Sequence, residues 1–129
     1  VSDSRPVMMI REAQLRTLGQ STVDTFSSRL AVHLRRFFPD RCDALGEALP
    51  GFIAHGVARA RHHGLRSERE VCRYAGLMCV LGRDFDTAPG LEWARELLEL
   101  EHLAPALRLD VLTRETQEWL RAAPSGGAP

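Results

Sequence analysis

Apolar residues recur along this chain at helical spacing. Leu15, Leu18, Phe26, Leu30, Leu34 and Phe37 fall three, four or eight positions apart, which lines them up on one face of a helix. The pattern predicts a first helix from about Ile10 to Phe37. Gly19 and the Ser21–Thr22 pair weaken its first third enough to break it in two. Pro39 stops it, because proline disfavours helical geometry in the residue before it. Asp40 or Asp43 is placed to cap a short second helix through Leu49, with Leu45 and Leu49 facing the same way. Pro50 and Gly51 interrupt that helix. Pro50 also suits the first turn of a third helix over Phe52 to His63. Phe52, Ile53, Val57 and Ala60 form the inward stripe of this helix, and Gly64 is its stop.

The strongest local signal is Ser67-Glu68-Arg69-Glu70. It fits a capping box, in which the Ser67 side chain accepts from the Glu70 amide and the Glu70 side chain reaches back. A fourth helix follows to Leu81, with Val71, Tyr74, Leu77, Met78 and Leu81 inward and Gly82 as its end. In the loop Arg83–Pro89, Phe85 is expected to plug back into the core, since solvent is a poor place for an aromatic ring between two aspartates. A fifth helix is expected from about Pro89 to His102, with Leu91, Ala94, Leu97, Leu98 and Trp93 in contact. Pro105 restarts the chain into a sixth helix through Ala122, whose apolar side is Leu109, Leu112, Thr116, Trp119 and Leu120. No internal repeat and no alternating strand pattern interrupts this series. The reading is an all-α, compact bundle of five or six helices in a single domain. Residues 1–9 read as a flexible leader, 10–123 as the helical domain and 124–129 as a flexible tail.

Composition supports helix over sheet. Hydrophobic residues are 44% of the 129, and β-branched residues are few, with isoleucine only at Ile10 and Ile53. The 17 basic residues are all arginine, and the chain contains no asparagine. Lysine and asparagine codons are AT-rich, so GC-rich coding explains the bias without a phosphate site. The formal net charge of zero also argues against a duplex binder. No apolar run approaches the ~20 residues that cross a bilayer. Cys42, Cys72 and Cys79 make an odd count without a paired motif, which suits a reducing cytoplasm better than a disulfide scaffold.

Candidate chemistry is sparse. His33, His55, His62, His63 and His102 invite a metal or acid–base reading, and His55 and His62 could share a helix face. No HExxH or CxxC motif accompanies them, and histidines near the end of the third helix also suit the negative end of its dipole. Cys72 and Cys79 would lie roughly 10 Å apart along one helix, too far to share one tetrahedral ion; they read as core residues. Asp84 and Asp86 form a DxD, but a calcium loop needs more oxygen ligands at fixed offsets. The simpler expectation is a solvated loop, with Asp86 or Thr87 capping the next helix. No catalytic residue, metal ligand or cofactor site is assigned. Arg59, Arg61, Arg66, Arg69 and Arg73 crowd the junction of the third and fourth helices. With the short Gly64–Ser67 link this resembles a helix-turn-helix, which gives a DNA-binding regulator as the alternative reading. Glu68 and Glu70 stand where base contacts would be made and would repel phosphates. Trp93 and Trp119, one in each of the last two helices, are expected to pack on each other or to anchor a partner.

Several segments together carry a family resemblance: Ile10–Leu15, Arg29–Pro39, Gly56–Ala60, His63–Val71, Gly82–Asp86, Pro89 and Trp93-Ala94. In this order, over roughly residues 8 to 100, the chain resembles a group of small bacterial proteins encoded among type VI secretion genes, beside spike-tip proteins and effector-loading adaptors. The resemblance implies an accessory role: binding a secreted effector or spike-tip protein before or during secretion. It brings no catalytic residue with it. On that reading the partner surface lies beside the third and fourth helices, with Arg59, His63, Arg66 and Arg69 as a polar rim and Trp93 as an anchor. A second face of the long first helix could serve a homodimer.

Overall fold

The computed structural model describes residues 25–122. The expected leader, the first part of the first helix and the tail lie outside this range. Within it the chain is helical, and no strand occurs among the described residues. Helix α1 covers 25–37. Then come α2 (Pro39–Leu45), a 3-10 turn (Gly46–Ala48), α3 (Leu49–His62), α4 (Glu68–Leu81), α5 (Glu92–Leu98) and α6 (Pro105–Ala122). This is the all-α bundle that the pattern predicts.

Helix α4 is central. It packs against α3 on one side and α6 on another, and α5 lies on α6. Its buried residues Val71, Tyr74, Ala75, Leu77 and Met78 meet Leu30 and Leu34 of α1, Phe52, Ile53 and Ala60 of α3, and Leu109 and Leu112 of α6 in one core. The α3–α4 approach is close because Gly56 is buried there. A Cβ at that position would lie 2.8 Å from Met78 Sδ, so a larger residue there would force the buried Met78 side chain to shift.

The predicted stops and caps account for the connection between these helices. Helix α3 ends at His62, and Gly64 adopts φ +83°, a left-handed conformation open to glycine at little cost. Leu65 is then fully buried. Ser67 Oγ accepts from the Glu70 amide at 3.0 Å, and Glu70 Oε1 accepts from the amides of Arg66 and Ser67. The capping box is complete and fixes where α4 begins. These backbone donors hold the Glu70 carboxyl below its ordinary pKa.

Several boundaries differ from expectation. Neither Asp40 nor Asp43 caps α2. Its N-cap is Phe38, with Pro39 in the first turn, so the proline that ends α1 also starts the next helix. The 3-10 turn leads directly into α3 at Leu49, ahead of Pro50. Helix α5 is shorter than Pro89–His102. A turn closed by the Leu91 amide on the Ala88 carbonyl delays its start, and Glu99 ends it. Phe37 is 57% exposed, and Trp119 and Leu120 are 40% and 49% exposed. The ends of α1 and α6 run past the core and carry their apolar stripes into solvent. Phe85 is fully buried, the plug that the loop requires.

Candidate functional site

Two features stand out from the helical scaffold: a buried polar cluster and an open apolar groove. The cluster begins with spacing on α3. His55, Arg59 and His63 recur every fourth residue and therefore form one ridge. The loop after α4 folds back across that ridge. His55 Nε2 approaches Asp84 Oδ1 at 2.9 Å, though without hydrogen-bond alignment. Arg59 donates through Nε to Asp86 Oδ2 at 2.7 Å, and its Nη2 lies 2.7 Å from the same oxygen. His63 Nε2 lies 2.8 Å from the same oxygen. Between the two aspartates, Phe85 turns inward onto Tyr74, with ring centroids 5.1 Å apart.

Asp86 was expected in solvent or as a helix cap, and the structure corrects this: it is 1% exposed. An isolated carboxylate at that depth would be prohibitive. Burial pushes the Asp86 pKa up, but hydrogen bonds from His63 and Arg59, with the charge of Arg59, outweigh it and hold the carboxyl below its ordinary value. Burial pushes His63 down more strongly than Asp86 pulls it up. At neutral pH the cluster is therefore an Asp86–Arg59 ion pair with a neutral His63 donating its Nε2–H. The Asp86 hydrogen bond raises the Arg59 pKa further. Tyr74 is raised by burial and by the nearby Asp86 charge, so its hydroxyl stays protonated. That hydroxyl is buried without an aligned partner. With side-chain exposures of 1% for Asp86 and 7% for His63, these groups clamp the loop to α3 and leave little of either open to solvent.

Arg108 is a second buried polar group, one that no motif in the sequence marks. Its Nη1 donates to the carbonyls of His63 and Leu98, the ends of α3 and α5. A cation there satisfies open carbonyls and meets the negative ends of two helix dipoles. The available signal was its place on the row Arg108, Leu112, Thr116, which is otherwise the buried side of α6.

The five residues expected to form a partner surface fall in different places. Arg59 and His63 are joined by Asp86. Arg66 lines a shallow groove with Phe26, Val57 and Arg61. Arg69 lines another with Arg29, Leu30 and His33. Trp93 is half-buried and packs on Trp119 as expected, with ring centroids 6.4 Å apart. It lines a groove with Leu97, Leu100 and Val111. Elsewhere Arg73 is paired with Asp110 at 2.9 Å, and Arg29 with Glu68 at 2.6 Å.

His33 packs on Phe37, with ring centroids 4.8 Å apart. His62 is exposed at the end of α3, edge-on to His63. No group of three or more His, Cys, Asp or Glu side chains suited to a metal ion occurs among the described residues. All three thiols are free and are raised in pKa by burial, Cys79 to about 11. A protonated thiol is a poor nucleophile.

The apolar groove runs between α1, α4 and α6 and has a volume of about 400 Å³. Its walls include Phe37 of α1 and Phe38 just after it, Gly76, Leu77 and Val80 of α4, and Leu120 of α6. Phe37 and Leu120 are among the exposed large apolar residues. The Arg69 groove shares His33 and Cys72 with it, so the two grooves adjoin along α1, between Phe26 and Phe37, as a trough.

Compared with known protein families, curated proteins and solved structures, the chain matches none. No helix among the described residues is long and apolar enough to cross a membrane.

Proposed function

We propose that this chain is a non-enzymatic protein-interaction module, an accessory adaptor or chaperone for a type VI secretion effector or spike component. One observation carries the interaction reading: the trough along α1, whose larger groove has a volume of about 400 Å³ and large apolar side chains exposed on its rim. Contiguous apolar surface of this kind is characteristic of contact sites. The groups with the most chemical potential support the same reading, since Asp86, Arg59 and His63 are taken up in holding a loop. The link to type VI secretion rests on the motif series from Ile10 to Trp93-Ala94.

The helix-turn-helix alternative draws less support. Arg59 and Arg73 are engaged by Asp86 and Asp110, and Glu68 and Glu70 occupy the start of α4. The test is co-expression with spike-tip proteins, effectors and adaptors encoded beside it, followed by co-purification. Stoichiometric capture of one of them is expected. Clean failure with every product of the locus would overturn the adaptor reading, and a salt-dependent shift of genomic DNA would favour the regulator.

A further inference from the structure

We propose that the trough between α1, α4 and α6 receives a single amphipathic helix from a partner protein, with an apolar ridge on its inner face and acidic residues along its flanks. This rests on the interaction reading above and specifies the chemistry of the partner. The trough follows α1 from Phe26 to Phe37, a path of about 16 Å at helical rise. That matches about three turns of an incoming helix. A helix fits better than an extended segment. The walls are themselves helices and offer no open ladder of backbone donors and acceptors. A strand would bring its own amides into an apolar cleft unpaired, whereas a helix satisfies them internally.

Charge selects the flanks. Of the arginines beside the trough, Arg29 is matched by Glu68 and Arg73 by Asp110. Arg69 lines the trough, and Arg36 lies over the Phe37 ring at 5.4 Å. Neither has an ion-pair partner among the described residues. His33 lies between the two halves of the trough. The unmatched charge is therefore positive, and an acidic flank complements it. A polar anchor lies within the apolar surface: Thr116 is 4% exposed, lines the groove, and its Oγ1 is buried without a hydrogen-bond partner.

The test uses the full chain labelled with ¹⁵N and two synthetic 18-residue helices with the same leucine ridge, one flanked by glutamate and one by lysine. The acidic peptide is expected to shift the amides of Phe37, Gly76, Val80, Thr116 and Leu120 saturably. It should bind about tenfold more tightly than the basic one. Leu120→Glu, at an exposed site that the core does not need, should weaken binding about tenfold or more. Gly76→Leu should block it by filling the groove. A Cβ at Gly76 would sit 3.5 Å from the Phe38 ring, an ordinary contact, and a thermal melt matching the parent chain checks that the rest of the leucine leaves the fold intact. Arg36→Glu combined with Arg69→Glu should reverse the preference between the peptides. Equal affinities, shifts outside the trough, or no saturable binding would overturn the proposal. So would cross-peaks in the free protein placing residues 1–24 or a second copy in the groove. The two readings fail separately. If a spike or effector protein co-purifies equally well with the Gly76→Leu variant, the trough assignment falls and the adaptor reading stands. If the acidic peptide binds as described and no protein of the locus does, the reverse holds.

Discussion

Replacing Asp86 by alanine tests whether the polar cluster is what clamps the loop after α4. The carboxylate is 1% exposed and accepts from both Arg59 and His63 on one oxygen. Removing one partner of a fully buried ion pair costs about 3–5 kcal/mol. Arg59 keeps 29% of its side chain exposed and can turn partly to water, which lowers the expected loss to about 2–3 kcal/mol. His63 has no such exit, and its Nε2–H would be left unpaired. Asp86→Asn should cost less than alanine, because an amide oxygen can still accept from one donor. Urea denaturation followed by far-UV circular dichroism measures the difference. The matching fall in Tm is about 10 °C at this chain length. A double-mutant cycle with Arg59→Met should give a coupling of at least about 1 kcal/mol. A loss below about 0.5 kcal/mol for Asp86→Ala, with no coupling, would refute the argument. Phe85 and the loop backbone would then hold the segment without the ion pair.

Acidification should destabilise the fold in two stages. His63 is depressed in the folded state, so below about pH 6.5 the unfolded chain binds more protons and stability falls. Asp86 is also depressed, so its contribution, complete above about pH 4, is lost as pH falls further. Denaturation midpoints between pH 8 and pH 3 should decline through both windows, and His63→Gln should remove the first. Ser67→Ala should cost about 1 kcal/mol through loss of the α4 cap, read from thermal melts, and should leave partner binding unchanged. Gly64→Ala should cost about 1 kcal/mol or more, because φ +83° strains any residue with a Cβ; the same melts check it.

The parts of the fold that were legible in the sequence depend on neighbours a few residues away. Ser67 and Glu70 cap α4 because three residues separate them in any sequence. Phe85 could be placed because a ring between aspartates has few alternatives to burial. Pro105 and the row Leu109, Leu112, Thr116 set α6 by periodicity. The polar cluster was not legible, because Asp86 meets Arg59 and His63 only after the loop turns back over α3. Nothing within the sequence DFD says which way its carboxylates face. The regular recurrence of His55, Arg59 and His63 was visible, but a polar ridge reads equally well as a solvated face. The trough was illegible for a related reason. The exposed ends of α1 and α6 continue the same apolar stripes that fill the core, and only the lengths of the packed helices decide where burial stops.

The grip of Arg108 on the carbonyls of His63 and Leu98 has a consequence for the order in which the chain matures. During synthesis α3 and α5 leave the ribosome before the guanidinium that secures both of their trailing ends. Until α6 emerges, those ends must rely on water, and the earlier helices form a looser intermediate. A protease pulse on arrested nascent chains should therefore find the α3 and α5 termini sensitive until residue 108 has cleared the exit tunnel, and sheltered soon afterwards.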